Sequence, residues 1–312
     1  MIDALVVIGG STASGKSTLA LAVARALDGV VVNADSQQLF QDLPILTARP
    51  TPADEAVVPH RLYGVLAADE QPSVGRWLTL VEPVLAACRA EGRPAIVTGG
   101  TGLYLHALLH GMPEMPEIPA DLRSSLRAWA ERIDGAALHE RLAMRDPVMA
   151  ARLRPSDTQR LLRALEVVEA TGRSLAEWQE APRRCIPLPE RRLGIALLPP
   201  PAVVNPRIEA RLEVMLKGGA LEEVETLLQR RPDALRLPTA KIHGLRELAA
   251  LLQGRLGLEE AKRSIAAQIR QYAKRQRTWF RHQLPELQSM AALGDSASLR
   301  QAILAMARER LA

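Results

Sequence analysis

Residues 10–17 read Gly10-Ser11-Thr12-Ala13-Ser14-Gly15-Lys16-Ser17, which fits the spacing G-x-x-x-x-G-K-[ST]. Glycines at the two ends let the backbone curl so that successive N–H groups point inward. A helix starting directly afterwards adds partial positive charge at the same place. Lys16 brings a full charge, and Ser17 or Thr18 offers a hydroxyl to a magnesium ion shared with phosphate oxygens. Gly10, Thr12, Ala13, Ser14, Gly15, Lys16, Ser17 and Thr18 are therefore the expected phosphate ligands. The motif does not say which compound carries the phosphate. ATP and GTP fit, and so does any diphosphate ester.

Two further groups have chemistry to offer. Asp35 closes a β-branched run, Gly29–Asn33, whose strand is expected to neighbour the first one. In open α/β sheets ligands sit outside the carboxyl ends of strands, so Asp35 should face the phosphate loop. It could hold magnesium, act as a general base toward an incoming nucleophile, or merely cap a turn. Gly99-Gly100-Thr101-Gly102 ends a third strand, where glycines would admit a ligand close to the backbone and Thr101 would offer a hydroxyl. A tight strand-to-helix turn is the plainer reading of the same residues.

The elements that must position these groups are legible as short apolar runs and helical stretches. Leu5–Ile8, Gly29–Asn33 and Pro94–Thr98 read as buried parallel strands. Helical patterning covers Thr18–Leu27, 74–91 and about 103–109. Alternation of strand and helix predicts an α/β core with a mainly parallel, doubly wound sheet. The segment 112–119 carries three prolines in eight residues, which reads as a linker. Only helical patterning follows, at 121–133, 136–144 and 157–171, until a second proline-rich stretch at 182–189. Arg192–Leu198 is again strand-like. A core of 1–115 and 190–312, interrupted by a helical insertion at 116–189, is expected. Further helices are expected at 206–218, 220–230, 243–253 and 258–283.

The 312 residues are 47% hydrophobic and 24% charged, with a net charge of +5. That is ordinary globular composition. Its basic balance suits a polyanionic partner without demanding one. Cys88 and Cys185 form no C-x-x-C pair, so neither a zinc ribbon nor a disulfide framework is indicated. No apolar run reaches membrane-spanning length, and the start lacks a basic segment, a long apolar stretch and a cleavage site, so a cytoplasmic protein is expected. From Lys262 to His282 there are seven Lys or Arg and no acid, with Trp279 and Phe280 among them. That pattern suits nucleic-acid contact, although the two aromatics also fit the core face of an amphipathic helix.

Val7–Leu19, Asn33–Leu39 (NADSQQL), Gly99–Leu109 (GGTGLYLHALL), Asp157–Gly172 (DTQRLLRALEVVEATG), Arg207–Leu227 and Tyr272–Arg281 (YAKRQRTWFR) resemble the tRNA dimethylallyltransferase family. The resemblance spans most of the chain. It implies transfer of a dimethylallyl group from dimethylallyl diphosphate to N6 of the adenosine 3′-adjacent to the anticodon, in tRNAs reading U-initial codons. It implies that the phosphate loop holds the donor's diphosphate with Mg²⁺ bound through Ser17. Asp35 then becomes the base, with Thr101 beside it and Lys16 meeting the leaving charge. Arg211 is expected to reach the diphosphate from the far wall, with Arg207 its competitor.

Contacts to a tRNA anticodon stem-loop are expected from Asp35, Ser36, Gln37, Gln38, Thr101, Arg123, Gln159, Arg160, Leu161, Leu162, Arg163, Gly244 and Arg246. A solvated helix face is the competing reading of the basic residues in the insertion. The chain departs from the family pattern at Phe40, at Leu46–Pro50, at Val58–Gly64, and at Leu245 and Glu247 within Lys241–Glu247. The last departure puts RNA contacts of that block in doubt. No Cys/His zinc module follows, as in bacterial forms. A monomer is expected. Prenylation of a free adenine nucleotide, a P-loop kinase and a non-catalytic RNA-binding protein are the alternatives. The helical insertion argues against the first of these.

Overall fold

The computed structural model describes residues 3–311 and divides them into two compact units, Leu109 and its preceding residues with Ile186 onward, and His110–Cys185. The first unit is built on a six-stranded sheet. Its strands are β1 (Ala4–Gly10), β2 (Val30–Asn33), β3 (His60–Arg61), β4 (Ala95–Gly99), β7 (Arg191–Leu197) and β8 (Gln288–Met290), in the order β3-β2-β4-β1-β7-β8. Every pairing in it is parallel. β1, β2 and β4 are buried along their whole length, as continuous apolar runs between helical layers must be.

The sheet order corrects one expectation. β2 does not neighbour β1, because β4 runs between them and pairs with both. Local patterning fixes that a segment is a buried strand, while its neighbours are set by how the connecting helices pack. Here α1 (Lys16–Leu27) carries the chain from β1 past β4's position to β2. It buries Leu19, Ala20, Val23 and Ala24 against the sheet.

Two short elements that the sequence did not reveal follow β2: α2 (Pro52–Val57) and β3. α2 is too short for a helical period, but it is closed by a capping box between Thr51 and Asp54. α3 (Val74–Ala90) is capped by Ser73 and seats Trp77 on the sheet, where its Nε1 donates to the Asn33 carbonyl at 2.8 Å. α4 (Gly102–His110) leaves β4 directly.

On the other side of the insertion, α10 (Pro201–Lys217) begins five residues earlier than expected. The expected start falls at Pro206, but Pro201 occupies the first turn, where no N–H is needed. Burial of Val204, Ile208 and Leu212 holds Pro206 inside the helix. α11 (Ala220–Arg230), α12 (Leu245–Leu252) and the long α13 (Leu258–Gln283) follow, and α14 (Ala297–Leu311) closes the chain by packing on α1 and β7.

The second unit is helical: α5 (Ala120–Ala130), α6 (Gly135–Arg145), α7 (Pro147–Arg152), α8 (Thr158–Thr171) and α9 (Leu175–Glu180). Its boundaries lie outside the first proline linker and inside the second. Here β5 (Met112–Pro113) and β6 (Arg183–Arg184) pair antiparallel and draw both connecting segments into the unit. Leu138, Leu142, Leu161, Leu165 and Val167 form its core. Buried Asp146 joins three elements: it caps α7 and accepts hydrogen bonds from Ser174 Oγ and Leu175 N. Among the described residues no helix is long and apolar enough to cross a membrane.

Candidate active site

A cleft of about 720 Å³ lies at the carboxyl ends of β1, β2 and β4. Residues 12–18 line one part of it and Asp35 another, with Arg207 and Arg211 of α10 and Tyr272 of α13 contributing further wall. The loop is shaped by two left-handed residues, Ala13 (φ 57) and Gly15 (φ 84). α1 starts at Lys16 with no side chain capping it, so its first N–H groups face the cleft with the helix dipole behind them. Not every amide of the loop is available. Ser11 donates to the Leu197 carbonyl at 3.3 Å and Thr12 to Gln276 Oε1 at 2.8 Å. Gly10 does not line the cleft: a Cβ there would collide with the Leu197 backbone of the neighbouring strand, so its role is close strand packing.

Lys16 bends back so that its Nζ donates to the Ser11 carbonyl at 2.5 Å. Burial lowers its ammonium to about 8, with Asp35 opposing that shift and Arg211 adding to it. Burial is also the main reason that the Arg211 guanidinium is lowered, again with Asp35 opposing. Lys16, Asp35 and Arg211 thus feel one another across one cleft. The two arginines of α10 are not equivalent. Arg207 is held by Asp295 (2.7 Å) and by the Ala13 carbonyl (3.1 Å). No such partner among the described residues holds Arg211.

Asp35 is fixed by its own neighbourhood. Its N–H donates to Asn33 Oδ1 at 2.8 Å, its carbonyl accepts from Asn33 Nδ2 at 3.0 Å, and its Oδ1 accepts from Gln37 N at 3.0 Å. Oδ2 is left for the cleft. Ser36 N donates to Thr101 Oγ1 (2.9 Å), and Thr101 Oγ1 donates to Ser36 Oγ (3.2 Å). Thr101 therefore stands beside Asp35 as a holder of the next residue. Of the two readings of the glycines around it, the structure favours the tight strand-to-helix turn, with Gly99 alone of the three also lining the cleft. A Cβ on Gly99 would meet the Ala34 backbone, one on Gly100 the Gln276 amide, and one on Gly102 the Trp279 ring. At Gly100 and Gly102 the protein's own side chains take up that space.

The residues expected to touch RNA separate into distinct groups. Gln37 Oε1 accepts from His243 N at 3.2 Å, and Gln38 Nε2 donates to the carbonyls of Thr47 and Ala48. Both hold the loops around the cleft. Gly244 is buried, with φ +92, against Leu46 and Ile265, so it starts α12 and offers no RNA contact. Arg246 is exposed and donates to the Leu235 carbonyl at 2.9 Å.

In the helical unit, Gln159 and Arg160 are exposed, and Arg160 pairs with Asp157 at 3.4 Å. Leu161 is 0% exposed at the centre of the core, and Leu162 packs against the same core. The Leu161 side chain is thereby excluded as a contact because it points inward, whereas Leu162 is only half-buried at the edge of that core. Arg163 and Arg127 converge on Glu166, a carboxylate 3% exposed, at 3.4 and 3.3 Å. Arg123, half-buried, donates to the Ile118 carbonyl at 3.4 Å. On α13, Phe280 is buried against Gly9 and Trp279 lies on Gly102, so these aromatics belong to the core. Lys262 and Arg270 are paired with Glu213 and Glu209, which leaves Arg263, Lys274, Arg275 and Arg281 as the exposed basic residues of that face.

Sequence reasoning missed His243, Tyr272 and Gln276. The rings of His243 and Tyr272 lie 4.8 Å apart in the cleft wall. Burial lowers the His243 imidazole and raises the Tyr272 phenol, so both stay neutral. Glu223 was missed too: its carboxylate accepts from Ile45 N and Leu46 N, both at 2.9 Å, and fixes the loop that carries Leu46–Pro50 into the cleft.

The IPP transferase family matches residues 38–283 of this chain. The tRNA dimethylallyltransferase of Rhodospirillum rubrum is 51% identical over 280 residues, covering 90% of this chain and 86% of that protein. One from Rhodopseudomonas palustris is 49% identical, covering 92% and 90%. The crystal structure of the full-length tRNA isopentenylpyrophosphate transferase of Bacillus halodurans matches with a TM-score of 0.70 at 29% identity, over 99% of this chain and 97% of that one. A eukaryotic dimethylallyltransferase acting on tRNA matches with a TM-score of 0.77 at 25% identity, over 96% and 78%. A cleft that joins a phosphate-type loop to one fixed carboxylate, in a chain that aligns with these enzymes over nine-tenths of its length, belongs to a member of the IPP transferase family.

Proposed function

We propose that this chain transfers the dimethylallyl group of dimethylallyl diphosphate to N6 of the adenosine 3′-adjacent to the anticodon, in tRNAs that read U-initial codons, and releases diphosphate. The observation that carries the reading is the single cleft lined by both residues 12–18 and Asp35. In the reaction the C1–O bond of the donor breaks as the C1–N6 bond forms. The electron pair of the broken bond stays on the diphosphate, and the N6 proton passes to an Asp35 oxygen.

The free amides of residues 13–18, the Lys16 ammonium and the Arg211 guanidinium meet the charge that grows on the leaving oxygens. Arg211 is preferred to Arg207 because Arg207 is already engaged by Asp295. Apolar side chains of the wall, among them Leu46, Ile208, Met215, Ile265 and Ile269, suit an isoprenoid tail and keep water from the allylic centre.

Mg²⁺ fits this site as an ion shared with the substrate. Ser17 lines the cleft at the start of α1, where its hydroxyl would be one ligand. No group of three His, Cys, Asp or Glu among the described residues is placed to hold a metal, so donor phosphates and water would complete the shell. An ion held there would supply positive charge to the leaving phosphate oxygens.

On the helical unit, Arg160 and Arg163 offer charge to the anticodon stem-loop, Gln159 adds a hydrogen-bonding group, and Arg127 joins them through Glu166. The target base must be unstacked, which is cheapest in an already single-stranded loop. The enzyme works as a cytoplasmic monomer in this reading.

The test is to incubate the protein with unmodified tRNA, labelled dimethylallyl diphosphate and Mg²⁺. Label in tRNA and none in AMP is expected. Label in AMP would favour a nucleotide prenyltransferase, and phosphoryl transfer from ATP a kinase.

A further inference from the structure

The β1–β4 ladder ends at the Gly9–Gly99 pair. Past it the two chains diverge, one into the diphosphate loop and the other into the turn that holds Thr101. One side chain spans the gap. Gln276 of α13 accepts the Thr12 N–H on Oε1 at 2.8 Å and donates from Nε2 to the Gly100 carbonyl at 2.9 Å. Its amide thus replaces a backbone rung and prolongs the strand pairing by one step.

The placement is tight. Gln276 is 4% exposed, and its Nε2 occupies the space where any residue but glycine at 100 would carry a Cβ. A buried primary amide with both halves satisfied is rigid, and leaving either half unpaired is costly. The network continues toward the carboxylate. Gly100 is followed by Thr101, which accepts from Ser36 N, and Ser36 follows Asp35.

We propose that Gln276 is a positioning residue: it sets the spacing between the loop that holds the diphosphate and the carboxylate that takes the proton. It thereby sets the distance across which the prenyl group passes. The inference rests on the transfer reading above. Its chemistry is specific, because the two sites ask for an acceptor and a donor on one planar group. A carboxylate keeps the acceptor for Thr12 and loses the donor for Gly100. A thioether of similar length keeps neither.

The experiment compares wild type, Gln276→Glu and Gln276→Met for prenyl transfer to tRNA, with active sites counted by titration with inorganic pyrophosphate. The expected result is a kcat per active site lowered roughly 10- to 100-fold in both variants, as a displacement of about 1 Å between reacting groups produces. KM for the donor and Kd for tRNA should stay within about twofold of wild type, since Gln276 is buried and does not line the cleft. Wild-type kcat per site in either variant overturns the proposal, as does a loss explained wholly by fewer competent sites. Should Gln276→Met not fold, Gln276→Glu alone decides. Absence of transfer by the wild type would refute the reaction itself, a separate outcome.

Discussion

Ser36 donates its backbone N–H to Thr101 Oγ1 at 2.9 Å, so the residue after Asp35 hangs on the first residue beyond the β4 glycines. Strands β2 and β4 are bonded up to Asn33 and Thr98, and this hydrogen bond carries the pairing past the last regular rung. Thr101→Val keeps the volume and removes the acceptor. One hydrogen bond contributes only about 0.5–1.5 kcal/mol, so the fold should persist. The segment carrying Asp35 would lose one of its holds, beside the Asn33 and Gln37 bonds and the backbone bond from Thr101 N to the Ala34 carbonyl, and single-turnover transfer should slow roughly tenfold or more. Thr101→Ser keeps the oxygen and should restore most of the rate. An unaffected Thr101→Val would show that those other bonds suffice to hold Asp35.

Asp35→Asn removes the proton acceptor and leaves the shape. Its backbone bonds to Asn33 do not depend on the carboxylate. Loss of a general base typically costs about 10²–10⁴-fold in rate. Transfer should fall by that amount, while tRNA affinity measured by filter binding changes little. Wild-type turnover would mean that N6 loses its proton to some other group.

Lys16 gives the site a pH dependence with a definite sign. Burial holds its ammonium at about 8, well under its usual 10.5. Above pH 8 the free enzyme loses that charge, so affinity for inorganic pyrophosphate should weaken as pH rises through 8. The fold responds in the opposite direction. Between pH 8 and 10.5 the unfolded chain binds a proton that the folded lysine lacks, so this group adds stability as pH rises there. Weakened binding without loss of thermal stability is therefore expected. Calorimetric titration across pH 8 checks it, and the same pH profile in Lys16→Met would remove Lys16 as the cause.

These residues differ in how far the sequence disclosed them. The three central strands were legible because a strand buried on both faces is a continuous apolar run. Their order was not, since no local period records which strand lies beside which. β3, two residues long, leaves too little pattern to read. The phosphate loop announced itself because all its determinants lie within eight residues. Gln276 could not, because its partner Thr12 is 264 residues away. A glutamine in a helix rich in Lys and Arg also reads as surface. Glycines 99, 100 and 102 marked a close approach correctly, but composition cannot say whether a ligand or the protein's own Trp279 does the approaching. Leu161 is a different kind of miss. Its spacing to Ala164 and Leu165 is that of a core stripe, and that signal was available.

That stripe gives a paired prediction on neighbouring residues of α8. Arg160 is exposed and, among the described residues, pairs with Asp157 three positions before it, whereas Leu161 is wholly buried. If Arg160 meets a phosphate of the tRNA, Arg160→Ala should weaken tRNA binding and flatten the dependence of log K on log salt by roughly 0.7–0.9. Donor KM and thermal stability should not move. Leu161→Ala should do the reverse. Truncating a core leucine costs about 2–5 kcal/mol, so the helical unit should melt earlier, while the salt slope of the remaining folded protein keeps its wild-type value. A full salt titration of tRNA binding, run beside thermal melts of both variants, separates charge from packing on adjacent residues. An unchanged slope in Arg160→Ala would assign this arginine to the solvated face of the helix.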